Sequence, residues 1–326
     1  MARNHARRGK NTTRHKANAS HELRLQQLRS FCETARLGSL TAAANSLGLT
    51  QPTVGEQVHA LEREFDEPLV ETHGRGCRLT DGGRLLAELA GPLLAGFDSL
   101  RGAYHEARQR QLAQLTVASS PRILAEDILP SVPDFERRHP EAQVSFMELL
   151  TPNVAETVKS GVAQLGLTDA STLDGESPWI ETEPAYQLDL LLVTPADHPL
   201  AARRSVTLRD IAEHPVVNDP DTLSDASIRA ALHKAEVFQR RVSRVHVSYT
   251  VAVRKFVKAG FGVGFVFGLP GQPVEPGLCE RSVSRHVGRA QIDFVWRKGA
   301  LRPEFARAFA DSIKTSMQQK RRAAES

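Results

Sequence analysis

Residues 25–65 have apolar side chains at the spacing that predicts α-helices, interrupted twice by glycine. A first helix, which Gly38 ends, is predicted from apolar positions three and four apart: Leu25, Leu28, Phe31, Cys32 and Ala35. A short second helix is predicted to begin with Thr41 as its cap. It ends at Gly48, because glycine readily adopts a left-handed backbone at a helix end. The pattern therefore predicts two helices joined by a tight turn.

A third helix is predicted directly after this turn. Thr50 is suited to cap it, and Pro52 fits its first turn because the missing amide hydrogen would have no partner there. The buried face of this helix is predicted from its apolar residues, Val54, Val58, Leu61 and Phe65. The arrangement is helix-turn-helix geometry, in which the second helix of the pair lays its N-terminal residues against base edges in a major groove.

The polar side of the third helix supplies most of the candidate DNA contacts. These candidates are Thr41, Gln51, Pro52, Thr53, Gly55, Glu56 and His59. Glutamine suits adenine, and a helix N-terminus attracts phosphate. The alternative interpretation is an ordinary solvent-exposed helix face in an all-helical domain.

A wing and a long helix are predicted after the third helix. Two short strands flank a turn with Arg75 at its tip, where an arginine can enter a minor groove or bind the DNA backbone. Thr80 is predicted to cap a long helix, and Pro92 to weaken or kink it. The helix has a narrow apolar seam typical of a dimer contact: Leu86, Leu89, Leu93, Phe97, Leu100 and Tyr104.

Residues 23–110 resemble the winged helix-turn-helix and linker helix of LysR-type transcriptional regulators. The resemblance is carried by "LQQLRSFCETARLGSLTAAANSLGLTQPTVGEQVHALEREF" and by "LVETHGRGCRLTDGG". It implies a bacterial regulator that binds promoter DNA as a homodimer or homotetramer, contacts RNA polymerase and uses no cofactor. Family members usually carry a serine and a basic residue where this chain has Gly55 and Glu56. Glutamate can accept a hydrogen bond from cytosine N4 but repels phosphates.

From residue 113 onward, strands and helices alternate, which predicts an α/β region of parallel sheets with ligand sites at the carboxyl ends of their strands. The predicted strands include "AQVSFMEL", "QLGLTD", "HPVVND" and "SRVHVSY". The resemblance implies an effector-binding region of two Rossmann-like subdomains, like a periplasmic solute-binding protein. The predicted division is a basic arm at 1–22, the winged helix-turn-helix at 23–80, the linker helix at 81–112, subdomain I at 113–183 and 269–326, and subdomain II at 184–268.

Hydroxyl and amide side chains at strand and helix boundaries are the candidate effector contacts. Ser119 and Ser120 lead, because two hydroxyls and the free amides of a following helix converge after the first strand. The other candidates are Thr151, Thr168, Asn218, Ser248 and Thr250. Helix caps prefer the same residue types, so capping is the alternative role of each. Amide-rich helix termini favour an anionic effector, with Arg122 as the nearby cation.

The net charge of +4 is unevenly distributed along the 326 residues. Residues 1–20 hold six basic residues and no acidic one, so the remainder carries 4 − 6 = −2. With few large apolar residues, this arm is predicted to be disordered, and it either contacts DNA or only aids solubility. Residues 21–86 hold seven arginines and nine acidic residues, a poor balance for binding a duplex. The arm would then supply phosphate contacts, and affinity would fall steeply with salt.

Several classes of protein are disfavoured by what the sequence does not contain. No apolar run approaches the length of a membrane span, and three widely separated cysteines form neither a disulfide framework nor a metal motif, so we expect a cytoplasmic protein. The chain has no GxSxG elbow and no HExxH spacing, so we expect neither an enzyme nor a metal site. Only Cys279 lies in the effector region, which argues against an internal disulfide switch. The alternative from another class is a ligand-binding sensory protein with a degenerate DNA-binding module, motivated by Glu56.

Overall fold

The computed structural model describes residues 24–74, 76–108, 113–173, 177–218, 223–238, 245–247 and 250–325. The chain divides into two compact units, Met1–Asp98 and Ser99–Ser326. The α-helices are α1 (Leu25–Leu37), α2 (Leu40–Leu47), α3 (Gln51–Phe65), α4 (Asp81–Arg108), α5 (Val132–Arg138), α6 (Thr151–Lys159), α7 (Leu208–Ala212), α8 (Leu223–Lys234), α9 (Thr250–Lys258), α10 (Ser284–Val287) and α11 (Glu304–Glu325). The strands are β1 (Val70–His73), β2 (Gly76–Leu79), β3 (Ala113–Ser119), β4 (Ala142–Glu148), β5 (Leu165–Asp169), β6 (Ile180–Pro195), β7 (Gly264–Gly268), β8 (Leu278–Ser282) and β9 (Arg289–Arg297).

The first unit forms the three predicted helices around a small apolar core. Phe31, Val54 and Leu61 are fully buried where α1, α2 and α3 pack together. Gly38 and Gly48 end α1 and α2 with φ angles of 62° and 65°, the left-handed geometry that glycine adopts without strain. One predicted core residue is wrong: Phe65 is 42% exposed. It is the last residue of α3, so its ring lies beyond the packed turns of the helix.

The wing and the long helix complete this part of the chain. Strand β1 pairs antiparallel with β2, and the hydroxyl of Thr80 accepts a hydrogen bond from the amide of Gly83, 3.0 Å away, at the start of α4. Helix α4 continues through Pro92 without a break. Its two sides differ: Leu86, Ala87, Ala90, Leu94 and Ala95 are buried, whereas Leu85, Leu89, Leu93, Phe97, Leu100 and Tyr104 are more than half exposed.

The predicted seam of α4 therefore needs one correction. Leu86 is 8% exposed and lies on the buried side, one position away from the exposed row that begins at Leu85. Residues four apart stay on one side of a helix, so positions 86, 90 and 94 follow the core while 85, 89 and 93 face outward. We call the outward residues, Leu85, Leu89, Leu93, Phe97, Leu100 and Tyr104, the apolar row of α4.

The second unit is built on a seven-stranded mixed sheet, so the prediction of parallel sheets is wrong in part: β9 pairs antiparallel with β5 and β6, and β6 pairs antiparallel with β7 and β8. The strand order is β4-β3-β5-β9-β6-β7, with β8 also paired to β6. Strand β3 runs parallel to both β4 and β5, so Ser119, Glu148 and Leu167 lie side by side at one edge. This places the carboxyl ends of three strands together, as the alternating pattern predicted.

Strand β6 joins two separately packed halves of this unit. Its first part, up to Asp189, pairs with β9, and its second part pairs with β7 and β8. Lobe I consists of β3, β4, β5, β9, the first part of β6, α5, α6 and α11, with Phe135, Phe294 and Phe309 in its core. Lobe II consists of the second part of β6, β7, β8 and α7–α10, around core residues such as Ile211 and Phe265.

Two predicted strands of lobe II are wrong as full strands. In "HPVVND", only Val216 and Asn218 form isolated parallel bridges, to Val263 and Val247. Pro215 has no amide hydrogen to donate, so pairing cannot extend in that direction. Val247 provides the only bridge among the described residues of "SRVHVSY", whose neighbours 241–244 and 248–249 lie outside the described ranges. The subdomain boundaries at 183 and 269 stay predictions, and the basic arm lies outside the described residues.

Candidate nucleic-acid interface and effector site

Helix α3 is held by one side and leaves its polar side in solvent. Its cap is Thr50, whose hydroxyl accepts a hydrogen bond from the amide of Thr53 at 3.3 Å, and Pro52 lies in the first turn. The buried side chains are Val54, Val58 and Leu61. On the other side, Gln51, Pro52, Glu56 and His59 are exposed, and Thr53 and Gly55 are half-buried. The structure thus brings these six candidates together on one accessible face.

The two positions that depart from the family pattern both lie on this face. A Cβ atom added at Gly55 would have open space around it, so a larger side chain would fit at this position without a clash. Glu56 is exposed one position further on. Its carboxylate can accept a hydrogen bond from a cytosine amino group, and it adds negative charge where a phosphate would approach.

The prediction that Thr41 caps α2 is wrong. Ser39 is the N-cap, and its hydroxyl accepts a hydrogen bond from the amide of Ala42 at 3.3 Å. Thr41 is instead an exposed residue in the first turn. Serine and threonine are both good caps, so the pattern alone could not choose between positions two residues apart.

His59 is tied to the wing through Glu62. The Nδ1 atom of His59 lies 2.7 Å from one carboxylate oxygen of Glu62, and the other oxygen accepts hydrogen bonds from the amides of Leu69 (3.0 Å) and Val70 (3.3 Å). Partial burial acts to raise the pKa of Glu62, but these hydrogen bonds outweigh it and lower that pKa below its usual value. Glu62 therefore fixes the entry of the wing relative to α3.

The wing is also anchored to the turn between α1 and α2. The amide of Cys77 donates to the carbonyl of Gly38 at 2.9 Å. A Cβ atom at Gly76 would lie 2.6 Å from that same carbonyl oxygen, so only glycine permits this close approach. Arg75, the predicted wing-tip contact, lies outside the described residues.

Several arginines of the first unit are already paired with carboxylates. Arg36 contacts Glu33 at 2.7 Å, Arg78 contacts Glu71 at 2.5 Å, and Arg84 contacts Asp81. Ion pairs of this kind weaken the positive potential that attracts a duplex. The sequence of residues 21–86 has more acidic than basic residues, and the structure correspondingly places carboxylates next to these arginines.

In lobe I, the predicted effector residues are at the sheet edge but are not equally available. Ser119 is fully buried, and its hydroxyl donates to the carbonyl of Leu167 at 2.7 Å. Thr168 is also buried, with its hydroxyl 3.2 Å from that of Thr172. Ser120 and Thr151 are half-buried beside the same edge, Thr151 as the first residue of α6. The accessible hydroxyls here are those of Ser120 and Thr151.

In lobe II, the side chain of Asn218 is bound to the protein's own backbone. Its amide donates to the carbonyl of Phe265 at 2.7 Å and to the hydroxyl of Ser224 at 3.0 Å, and its oxygen accepts from the amide of Phe265 at 2.7 Å. The Asn218 side chain therefore links the segment at 216–218 to β7 by hydrogen bonds of the kind that a neighbouring strand would make. Ser248 and the side chain of Thr250 lie outside the described part of the chain.

A buried charged cluster, which the sequence did not reveal, lies where the helical segment after β3 meets β6. Arg122 binds both carboxylate oxygens of Asp127 (2.6 and 3.2 Å), and the hydroxyl of Tyr186 donates to Asp127 at 2.7 Å. Burial and the charge of Asp127 hold the pKa of Tyr186 well above its usual value. Burial would lower the pKa of Arg122, but the nearby acidic groups raise it. Arg122 is thus neutralised by Asp127, which weakens its predicted role as the cation for an anionic effector.

A π-helix accounts for this pairing. Residues Ile123–Ile128 form one, and its end is marked by the bond from the amide of Leu129 to the carbonyl of Leu124, five residues back. The wider turn brings positions five apart onto one side, so Asp127 lies next to Arg122. Apolar periodicity gives no signal for such a turn, which is why the pair could not be predicted.

Among the residues that the structure describes, no group of three or more His, Cys, Asp or Glu side chains is arranged to hold a metal ion. No helix in the described parts of the chain combines the length and apolar character needed to cross a bilayer.

Comparison with family models gives two matches that together cover most of the chain. Residues 25–84 match the bacterial regulatory helix-turn-helix protein, lysR family, and residues 108–318 match the LysR substrate binding domain. These are domains of transcriptional regulators and not of enzymes, in agreement with the expectation from sequence.

Individual relatives agree with these matches. The chain is 28% identical over 262 residues to the HTH-type transcriptional regulator CitR of Bacillus subtilis (strain 168), covering 79% of this chain and 86% of CitR. It is 27% identical over 296 residues to the HTH-type transcriptional regulator SsuR of Burkholderia cenocepacia, covering 88% and 92%.

Two solved structures share the fold. HinK, a LysR family transcriptional regulator from Pseudomonas aeruginosa, aligns with a TM-score of 0.55 at 20% identity, over 90% of this chain and 98% of HinK. Full-length CbnR in complex with its target DNA aligns with a TM-score of 0.51 at 23% identity, over 90% and 99%. At these identities the structural likeness shows a shared fold.

Proposed function

The chain belongs to the LysR family of transcriptional regulators, and from this premise we propose that it reads duplex DNA with the exposed face of α3. The protein has the family's helix-turn-helix domain, as the resemblance of residues 23–110 predicted, and its substrate-binding domain, as the resemblance of the region from residue 113 predicted. The finer assignment is that Gln51, Thr53, Glu56 and His59 contact base edges and phosphates. The observation that carries it is the one-sided burial of α3, which leaves its N-terminal half accessible.

The effector is proposed to bind at the carboxyl edge of β3, β4 and β5. Ser120 and Thr151 are half-buried there and are the first candidates for hydrogen bonds to it. Ser119, Thr168 and Asn218 support the site from within, because their polar atoms are engaged by the protein itself. Binding changes transcription only if the ligand prefers one arrangement of the lobes over another.

Self-association is proposed through the apolar row of α4. Its six large side chains are each more than half exposed, and they repeat at intervals of three and four residues. A row this long in contact with water is typical of an interface with a second copy. We propose a homodimer or homotetramer as the assembled form. We also propose that the protein contacts RNA polymerase and that the chain divides into its functional segments at residues 23, 81 and 113.

DNase protection on the DNA upstream of the protein's own coding sequence tests the DNA-binding proposal. We expect a discrete footprint with the full chain, and weaker protection at the same sites with Gln51→Ala. Gln143→Ala, an exposed glutamine in β4, is the matched control and is expected to leave the footprint unchanged. The footprint is recorded at a series of salt concentrations, and repeating this series with a chain that lacks residues 1–20 measures the contribution of the arm. Uniform protection that disappears with moderate salt would instead favour the sensory alternative with a degenerate module.

A further inference from the structure

An ion pair connects the two lobes of the effector-binding unit. The Nη1 atom of Arg254, in α9 of lobe II, donates to Oε1 of Glu126 at 2.7 Å, and Glu126 lies in the π-helix packed on lobe I. The Nε atom of the same arginine donates to Oε1 of Glu280, in β8 of lobe II, at 2.6 Å. Arg254 therefore has one partner within its own lobe, Glu280, and one on lobe I, Glu126.

The three charged groups are well fixed but not isolated from solvent. Their side chains are 21% (Arg254), 31% (Glu126) and 11% (Glu280) exposed. Burial acts to lower the pKa of Arg254, but the two carboxylates outweigh it and raise that pKa, so the arginine stays charged. On lobe I, Lys320 donates to the backbone carbonyl of Glu126, and Arg122 lies 3.7 Å from its carboxylate.

We propose that the Glu126–Arg254 pair is an interlobe latch that favours the arrangement of the lobes seen in this structure, and that Glu280 keeps Arg254 neutralised when the lobes separate. Opening then breaks one ion pair and leaves no bare buried guanidinium, because β8 and α9 move together as parts of lobe II. A partly exposed ion pair contributes little free energy. A ligand that prefers either arrangement of the lobes can therefore outweigh it. The inference rests on the proposed function only in taking lobe closure as the step that an effector would act on.

The test is a distance measurement between the lobes in the full-length protein, with neither DNA nor ligand. Spin labels are placed at Gln143→Cys in β4 and Lys234→Cys in α8, both exposed positions, in a background with Cys77→Ser and Cys279→Ser. Cys32 is buried and stays. Labelled protein is diluted with unlabelled protein, so that distances within one chain dominate. The main distance population comes from the arrangement of the lobes seen here, and a second population comes from molecules in which the lobes have separated. We expect Glu126→Gln to raise the ratio of the second population to the main one about two- to fivefold.

Glu280→Gln is the matched control, because it removes the same charge from the same arginine without crossing between lobes. It is expected to leave the ratio unchanged or to lower it. If Glu126→Gln impairs folding, Glu126→Asp keeps the charge and shortens the reach, and the same shift is expected.

Identical distance distributions in the unsubstituted protein, Glu126→Gln and Glu280→Gln would overturn the proposal. So would equal shifts in the two variants, since the effect would then follow charge and not the contact between lobes. The DNase experiment is independent of this result. A missing footprint with the expected shift would remove the proposed DNA contacts alone, and an intact footprint without the shift would remove the latch alone.

Discussion

The candidate residues of the two units differ in how the protein uses their polar atoms. On α3, the side chains of Gln51 and Glu56 extend from a helix whose apolar side is buried, so they are available to a partner. In the α/β unit, Ser119 and Asn218 have the right chemistry for a ligand, but their hydrogen bonds go to the carbonyl of Leu167 and the backbone of Phe265. The lesson is that polar residues at strand ends first satisfy the backbone, whereas beyond its capped first turn a helix satisfies its own backbone groups and leaves the side chains of its outer face available.

The largest expected effect concerns the buried ion pair of Arg122 and Asp127. Asp127→Ala leaves Arg122 charged and without its bidentate partner in a buried site, so we expect the free energy of unfolding to fall by about 3–5 kcal/mol. Trp179 and Trp296, the two tryptophans of the chain, both lie in the second unit. Urea unfolding followed by tryptophan fluorescence therefore reports on that unit.

The matched control is Asp134→Ala, which removes an exposed partner of Arg137 and Arg138. We expect a loss of about 0.5 kcal/mol or less. Equal losses in the two variants would mean that the cluster around Arg122 is no more important to stability than a surface pair.

Asn218→Ala tests whether the amide is structural. Removing it strands the amide and carbonyl of Phe265 in the interior, so we expect a loss of about 2–3 kcal/mol in the same fluorescence assay. Ser120→Ala, at a half-buried hydroxyl, is expected to cost about 0.5 kcal/mol or less. The contrast between inward and available residues would be broken if Ser120→Ala were the more damaging change.

Glu62 gives a prediction for pH. Its pKa is lowered in the folded protein, so it stabilises the wing above the ordinary range of glutamate, about pH 4.3, and this contribution is lost as pH falls through the lowered value. Relative to Glu62→Gln, we expect stronger protection of the Leu69 and Val70 amides at pH 7, by about tenfold or less. The difference should shrink toward pH 3.

Hydrogen exchange corrected for intrinsic rates measures this difference. Glu88→Gln makes the same change of charge on the exposed side of α4 and should not alter protection of the two amides. A difference between Glu62→Gln and the unsubstituted protein that persisted unchanged at pH 3 would contradict the role assigned to the Glu62 carboxylate.

The smallest expected effect is on α3 itself. Glu56→Gln removes a negative charge from the exposed face, so we expect affinity for a random duplex to rise about threefold at moderate salt. Fluorescence anisotropy across a salt series measures it, with Glu148→Gln at the exposed end of β4 as control. Unchanged affinity would indicate that this face does not approach phosphates.

Features encoded locally could be predicted from the sequence. The ends of α1 and α2 follow from Gly38 and Gly48, the start of α3 from Thr50, and the α/β unit from its alternating pattern. Small shifts in register gave the errors at Thr41 and Leu86, because neighbouring positions had equally suitable residues.

Features that depend on distant partners could not be predicted. Ser119 bonds to a residue 48 positions away and Asn218 to one 47 positions away, so nothing near either residue shows that its polar atoms are taken. Arg254 and Glu126 are 128 positions apart. A single sequence places such residues at the right edge of a sheet but does not give the partner of each side chain.

The π-helix at Ile123–Ile128 has a consequence for how this region can vary in length. A π-helix is equivalent to an α-helix with one residue inserted, so deleting one residue here would leave a regular helix that still fits the fold. Asp127 would then stand four positions from Arg122 instead of five, and residues four apart lie on one side of an α-helix. A homologue lacking one residue between Arg122 and Asp127 would therefore keep both the architecture of the unit and the buried ion pair.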